Sequence, residues 1–147
     1  KIYDKELVKR VNGVRWYNDS IGTTPERTIA GLNAFQEEII LIAGGYDKHL
    51  DYTGMGRYIV EHVKALVLLG ETKTKIKEAT LKALEGRLVK EELPIIECNT
   101  LEEAVNSAYD IAKEWDTVFF SPASASFDMF KNFEERGNKY KELVQKL

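Results

Sequence analysis

Three short stretches gather the side chains best suited to holding a small anion: Asn18-Asp19-Ser20-Ile21-Gly22-Thr23-Thr24, Gly44-Gly45-Tyr46-Asp47-Lys48, and Ser121-Pro122-Ala123-Ser124-Ala125-Ser126. Small residues in each let a ligand approach backbone amides, and the hydroxyls and one lysine add donors. The inventory suits a carboxylate or phosphate, with Lys48 as the charge, Thr23 and Ser126 as hydroxyl donors, and a helix N-terminal N–H near Ser126 as a further donor. Each feature also has a plainer explanation. Gly44-Gly45 reads more readily as a tight turn than as an anion cradle. Ser126 is a good cap for a helix beginning at Phe127. Lys48 suits a solvated loop, and Phe127, Phe130 and Phe133, recurring at i, i+3 and i+6, read as a core stripe. Asp128 then falls in the first turn of that helix, where the dipole favours an acid, so Asp19, Asp47 and Asp128 do not read as a carboxylate cluster.

The elements that must position these loops follow from the hydrophobic pattern. Residues 14–19 (VRWYND) are β-branched and aromatic and end in turn residues, which predicts a strand. Pro25 suits the first position of a helix over residues 25–34, with Thr24 as cap and Ile29, Leu32 and Phe35 as its apolar stripe. Residues 38–43 (EIILIA) form a continuous apolar run, too short for a helix and stopped by Gly44-Gly45, which predicts a buried parallel strand. Similar runs occur at 65–69 and 117–120, after helices over 56–63 and 101–115; Thr100 and Glu103 form a capping box for the latter. A helix over 76–84, a short strand over 94–97 and a helical tail with Tyr140, Leu143, Val144 and Leu147 at helical spacing complete the alternation. The expected fold is α/β, Rossmann-like, with a mostly parallel sheet flanked by helices. In such sheets ligands sit beyond the carboxyl ends of the strands, where all three loops fall.

A chain of 147 residues with 44% apolar and 31% charged composition predicts one globular domain rather than a disordered or fibrous segment. The formal charge of −3, from 24 acids and 21 bases, is spread along the chain, so neither nucleic acid nor an anionic membrane is an expected partner. No apolar run approaches the roughly 18–20 residues of a membrane span, and the single Cys98 cannot pair internally, which fits a reducing cytoplasm. No G-x-x-x-x-G-K-[ST] or G-x-G-x-x-G sequence occurs, and Gly54-Met55-Gly56 lacks the third glycine, so neither a P-loop nor a dinucleotide site is expected. His49 and His62 have no partners at metal-ligand spacing, and no nucleophile elbow is present.

Taken in order, VNGVRWYNDSIGTTPERTIAGL, ILIAGGYDK and VFFSPASASFDMFKNFEERGNKYKELV closely resemble the C-terminal domain of the D-glutamate-adding Mur ligases, from about residue 11 onward. The resemblance implies a Rossmann-like acceptor domain spanning 1–147, with a UDP-binding domain and a central ATPase domain preceding Lys1. It implies a bacterial, cytoplasmic, monomeric enzyme of peptidoglycan precursor synthesis. In that reaction ATP phosphorylates the carboxylate of UDP-N-acetylmuramoyl-L-alanine, and the D-glutamate amine attacks the acyl phosphate. ATP and Mg2+ would be held mainly by the central domain, leaving no catalytic residue and no metal ligand here, and the isolated domain is expected to be inactive. Residue by residue, Lys48 is similar to the lysine that binds D-glutamate, Thr23 to a hydroxyl donor to the amino acid, Ser126 to the serine that closes on a carboxylate, and Phe133 to a residue assisting through its backbone N–H. Asn18 and Asp19 resemble the stretch that faces the nucleotide, with Asp19 as a ribose contact. Many members read Asn-Asp-Ser-Lys-Ala-Thr where this chain has Ile21-Gly22, so Lys48 is the evident cation among the matched positions. No Asp-Asn-Pro-Arg motif of the diaminopimelate- or lysine-adding ligases occurs, which favours D-glutamate. The alternatives are the C-terminal domain of another Mur ligase or of a folylpolyglutamate synthetase, or a stand-alone Rossmann-like binding module.

Overall fold

The computed structural model describes residues 6–86 and 92–147; Lys1 lies outside them. Strands β1 (Glu6–Val11) and β2 (Val14–Asn18) form an antiparallel hairpin. There follow α1 (Pro25–Asn33), β3 (Ile39–Ala43), a 3-10 turn (Thr53–Met55), α2 (Gly56–His62), β4 (Val63–Leu68) and α3 (Lys73–Glu85). The chain ends with β5 (Ile95–Glu97), α4 (Leu101–Ile111), β6 (Thr117–Phe120) and α5 (Phe133–Gln145). The strands lie in the order β1-β2-β6-β3-β4-β5, and every pairing except β1–β2 is parallel. Because β6 inserts between β2 and β3, the loops leaving the carboxyl ends of these three strands emerge side by side.

The sheet is buried on both faces, which explains why its central strands read as unbroken apolar runs rather than as alternations. Period two nevertheless divides them. Ile40, Ile42, Val118 and Phe120 face α4 and α5 with Trp16 and Tyr140, while Ile39, Leu41 and Phe119 face α1, α2 and α3. Phe35 joins Tyr17 and Phe119 edge-to-face, with centroids 5.2 and 5.0 Å apart. Thr24 caps α1, its side chain accepting the Arg27 N–H, and Thr100 accepts the Glu103 N–H at 3.1 Å. The Glu103 carboxylate accepts from Asn99, one residue before the cap, at 2.9 Å.

Four features differ from the sequence reading. β1 is an added strand, created by the two-residue turn Asn12-Gly13 with φ of 52° and 79°, the left-handed pair that a tight hairpin demands. α4 ends at Ile111 rather than near Trp115, because Ala112 is already extended and Trp115, at φ 77° and 78% exposed, belongs to the loop into β6. No helix begins at Phe127: the Ser126 carbonyl instead accepts from the Met129 and Phe130 N–H groups in an isolated turn. α5 starts six residues later, where Asn132 caps it by accepting from the Glu135 N–H at 2.8 Å. Ser126 is therefore no helix cap, no helix N-terminal N–H lies beside it, and Asp128 is not in a first helical turn. Nor do the three phenylalanines form one stripe, since Phe130 packs against the core while Phe127 is 57% exposed.

Candidate functional site

The loop after β2 is tied down from below. Asp19, buried, accepts from Arg27 through Nη2 at 3.0 Å and Nε at 3.3 Å on one oxygen, and from the Ser121 hydroxyl at 2.7 Å on the other. Since Ser121 gives its proton to Asp19, the 2.8 Å contact between Thr28 and Ser121 must have Thr28 as donor. The chain of bonds thus runs Thr28 to Ser121 to Asp19, from α1 through the β6 loop to the β2 loop. Gly22 lies directly over it: a Cβ there would come within 2.6 Å of Ser121 Oγ and 2.7 Å of Asp19 Oδ2. Asn18 is also occupied, donating to Glu6 at 2.7 Å and accepting from the Ser20 N–H at 3.0 Å.

A second buried chain holds the β3 loop. Tyr52 donates to the Ala123 carbonyl at 2.8 Å, so the hydroxyl contact with Ser124 must be Ser124 donating to Tyr52, and Thr72 must in turn donate to Ser124. The Gly45 N–H ends this chain on Thr72 Oγ1 at 3.0 Å. The N–H groups of Gly44 and Tyr46 go to the carbonyls of Pro122 and Ala125, both at 2.8 Å. With these three amides consumed by the protein, Gly44-Gly45 is a packing turn rather than an anion cradle. Gly44, at φ 111°, is required because a Cβ would strike the Leu69 carbonyl.

Arg136 joins the loops from behind. It is 3% exposed, and donates from Nε to Ser20 Oγ at 3.0 Å, from Nη1 to the Ser124 carbonyl at 2.9 Å and from Nη2 to the Ser20 carbonyl at 2.7 Å. Ser20 then donates to the Phe133 carbonyl at 2.7 Å, clamping the first turn of α5 to the β2 loop. Burial lowers the Arg136 pKa to about 10, opposed by Asp128 and Asp19. The sequence reading did not single out Arg136, Thr72 or Tyr52. The signal for Arg136 is its spacing, since it precedes Tyr140 and Leu143 by four and seven residues and shares their buried stripe. Thr72 and Tyr52 act across the sheet, and no local pattern marks them.

Against this background Thr23, Lys48 and Ser126 stand apart. None of the three makes a side-chain hydrogen bond or ion pair to a described residue. Thr23 is half-buried, Lys48 is exposed and Ser126 is 3% exposed. Phe133 is the first residue of α5, where helix geometry offers its N–H no intrahelical acceptor. A cleft of about 370 Å³ between the β2 loop and α5 is lined by Asn18, Asp19, Ile21, Arg27, Phe133 and Lys141, among others; Thr23, Lys48 and Ser126 are not in its lining. Asp19, with both oxygens held inward, presents Arg27 to that cleft rather than its own carboxylate. No group of three His, Cys, Asp or Glu side chains at metal-ligating distance occurs among the described residues. Among the described residues, no helix is long and apolar enough to cross a membrane.

Residues 5–124 match the family described as Mur ligase, glutamate ligase domain. The curated relatives include proteins named UDP-N-acetylmuramoylalanine--D-glutamate ligase from Acetivibrio thermocellus, 54% identical over 142 residues, and from Ruminiclostridium cellulolyticum, 50% identical over 142 residues. Each comparison covers 97% of this chain and 30% of the relative, so the chain spans about a third of their length. Among solved structures, a domain assigned to a UDP-N-acetylmuramate:L-alanyl-gamma-D-glutamyl-meso-diaminopimelate ligase of Haemophilus ducreyi aligns with TM-score 0.59 at 15% identity, covering 95% of this chain and 98% of that one. A murein peptide ligase of Psychrobacter arcticus aligns with TM-score 0.60 at 10% identity, covering 97% of this chain and 28% of that one; at such identities these two likenesses speak to the fold alone. On the family match and the half-identical relatives, this α/β chain belongs to the Mur ligase family, as its glutamate ligase domain.

Proposed function

We propose that this chain is the acceptor domain of an ATP-dependent ligase that adds D-glutamate to UDP-N-acetylmuramoyl-L-alanine, through an acyl phosphate, in the bacterial cytoplasm. The observation that carries this reading is the division of labour among polar side chains. Asn18, Asp19, Ser20, Ser121, Ser124 and Arg136 are consumed by the fold, whereas the side chains of Thr23, Lys48 and Ser126 have no hydrogen-bond partner among the described residues. Donors that the fold does not use are available to a ligand, and a dicarboxylate needs such donors. Lys48 supplies charge to one carboxylate, and Thr23, Ser126 and the Phe133 N–H supply neutral donors. Together they orient the amine toward an activated carboxyl group, so that this domain contributes positioning rather than proton transfer.

Asn18 and Arg27, with Asp19 behind them, form the edge that faces the nucleotide. ATP and Mg2+ are held mainly by a central ATPase domain beyond this chain, where the acyl phosphate is formed. In the full-length enzyme, Lys48→Ala and Ser126→Ala are expected to raise the KM for D-glutamate about tenfold or more, the range for loss of a charge-assisted hydrogen bond, while the KM for ATP holds. An acceptor panel on the same enzyme should show preference for D-glutamate. Unchanged glutamate kinetics in both variants, or preference for another amino acid, would overturn the reading.

A further inference from the structure

Lys48 has a neighbour whose arrangement the fold alone does not explain. Its ammonium lies 5.7 Å from the centroid of the Phe127 ring. Phe127 is 57% exposed, so it gains little by packing. Tyr46 meets the same ring edge-to-face at 5.9 Å and 79°. The Tyr46 N–H donates to the Ala125 carbonyl at 2.8 Å, an isolated antiparallel bridge that joins the β3 and β6 loops beneath the stack. The acid adjacent in sequence, Asp47, is turned away. Its carboxylate lies 2.8 Å from the Lys75 ammonium on α3 and accepts the His49 N–H at 2.8 Å, and the Lys75 hydrogen bond holds its pKa below the ordinary carboxylate value.

We propose that Phe127 is a positioning residue for Lys48: its braced ring holds the ammonium in place without neutralising it, while Lys75 keeps Asp47 from competing for the same charge. The inference rests on Lys48 being the carboxylate-binding cation. An aromatic face attracts a cation through its quadrupole but offers no anionic oxygen, so an arriving carboxylate displaces it readily. An ion pair with Asp47 would restrain the lysine equally well and would have to be broken before substrate could bind. The ring therefore limits the freedom of a long flexible side chain and leaves its charge available.

The test is steady-state kinetics of the full-length enzyme, with thermal melting of each variant. Phe127→Leu is expected to raise the KM for D-glutamate about two- to fivefold, the range expected of an exposed cation–π contact of about 0.5–1 kcal/mol, with kcat, the KM for ATP and the melting temperature holding. Phe127→Tyr, which keeps the ring, should restore the KM. Lys75→Met should raise the same KM by releasing Asp47, and the double variant Asp47→Asn/Lys75→Met should restore it. In a Lys48→Ala background, Phe127→Leu should add nothing. An unchanged KM in Phe127→Leu would overturn the proposal, as would an equal effect with and without Lys48, which would mean that the ring touches substrate itself. If Lys48→Ala leaves the KM unmoved, the reading of the site fails and this proposal falls with it.

Discussion

Arg136 shows how a single side chain can belong to a site without reaching its ligand. Its three bonds from Nε, Nη1 and Nη2 go to Ser20 and Ser124, one residue from each of two loops, and no carboxylate forms an ion pair with it among the described residues. A Cβ on Gly45, in the third loop, would come within 3.2 Å of its Nη1. The guanidinium fork matches this set of acceptors, whereas a lysine ammonium could satisfy them only in part. Removing it strands two buried carbonyls and leaves the Ser20 hydroxyl short of a donor. Arg136→Met is therefore expected to destabilise the fold by ~2–4 kcal/mol, from the ~1–3 kcal/mol cost of each unsatisfied buried polar group less the gain of an apolar replacement. Arg136→Lys should recover less than half of that, and urea unfolding of the two variants provides the comparison. Equal stability in Arg136→Met and the parent would show that water reaches the Ser20 and Ser124 carbonyls.

At the level of elements, the start of α5 decides how Ser126 is understood. Ser126 and Asn132 both have cap chemistry, but only Asn132 is followed three residues later by an acid: Asn132 accepts from the Glu135 N–H at 2.8 Å, and Glu135 accepts from the Lys131 N–H at 3.1 Å. Glu134 and Glu135 also place negative charge at the positive end of the helix dipole. Asn132→Ala should thus cost ~1 kcal/mol of stability, as loss of an N-cap does, while Ser126→Ala should cost almost none because its hydroxyl caps nothing. Chemical denaturation of the two variants separates them, and a Ser126→Ala loss as large as that of Asn132→Ala would contradict the structure.

Much of the architecture was legible in the same local terms. Thr24-Pro25 marked the start of α1, the apolar runs at 38–43, 65–69 and 117–120 located the central strands within two residues, and the three strand-end loops did come out side by side. The hairpin strand β1 is hidden by its charges, Glu6, Lys9 and Arg10, and only Asn12-Gly13 betrays it. The buried chains through Thr28, Thr72 and Tyr52 depend on sheet order, which no window of sequence contains. That is also why no local pattern shows that Asp19 is buried and held by Arg27.

The whole molecule presents a closed core and an open site. Both faces of the sheet are covered by the chain's own helices, with Tyr140, Val144 and Leu101 on one side and Leu32, Ile59 and Ile76 on the other. Such a unit has a hydrophobic core on each face of its sheet. Its site is different: the matched cation is a lone Lys48 on a chain of net charge −3, so the dicarboxylate amino acid proposed as its ligand would be attracted by local donors and not by the field of the whole molecule. Local donors in open solvent bind weakly, because water competes for each hydrogen bond and the surrounding surface is not desolvated. The chain also spans only about a third of the curated relatives, and no phosphate-binding P-loop sequence occurs in it. This chain alone, given ATP, Mg2+, UDP-N-acetylmuramoyl-L-alanine and D-glutamate, is therefore expected to release no phosphate and form no amide. The full-length enzyme in the same assay should do both. Stoichiometric product from the chain alone would mean that these 147 residues carry their own means of activating a carboxyl group, and that the division between an activating part and an accepting part is wrong.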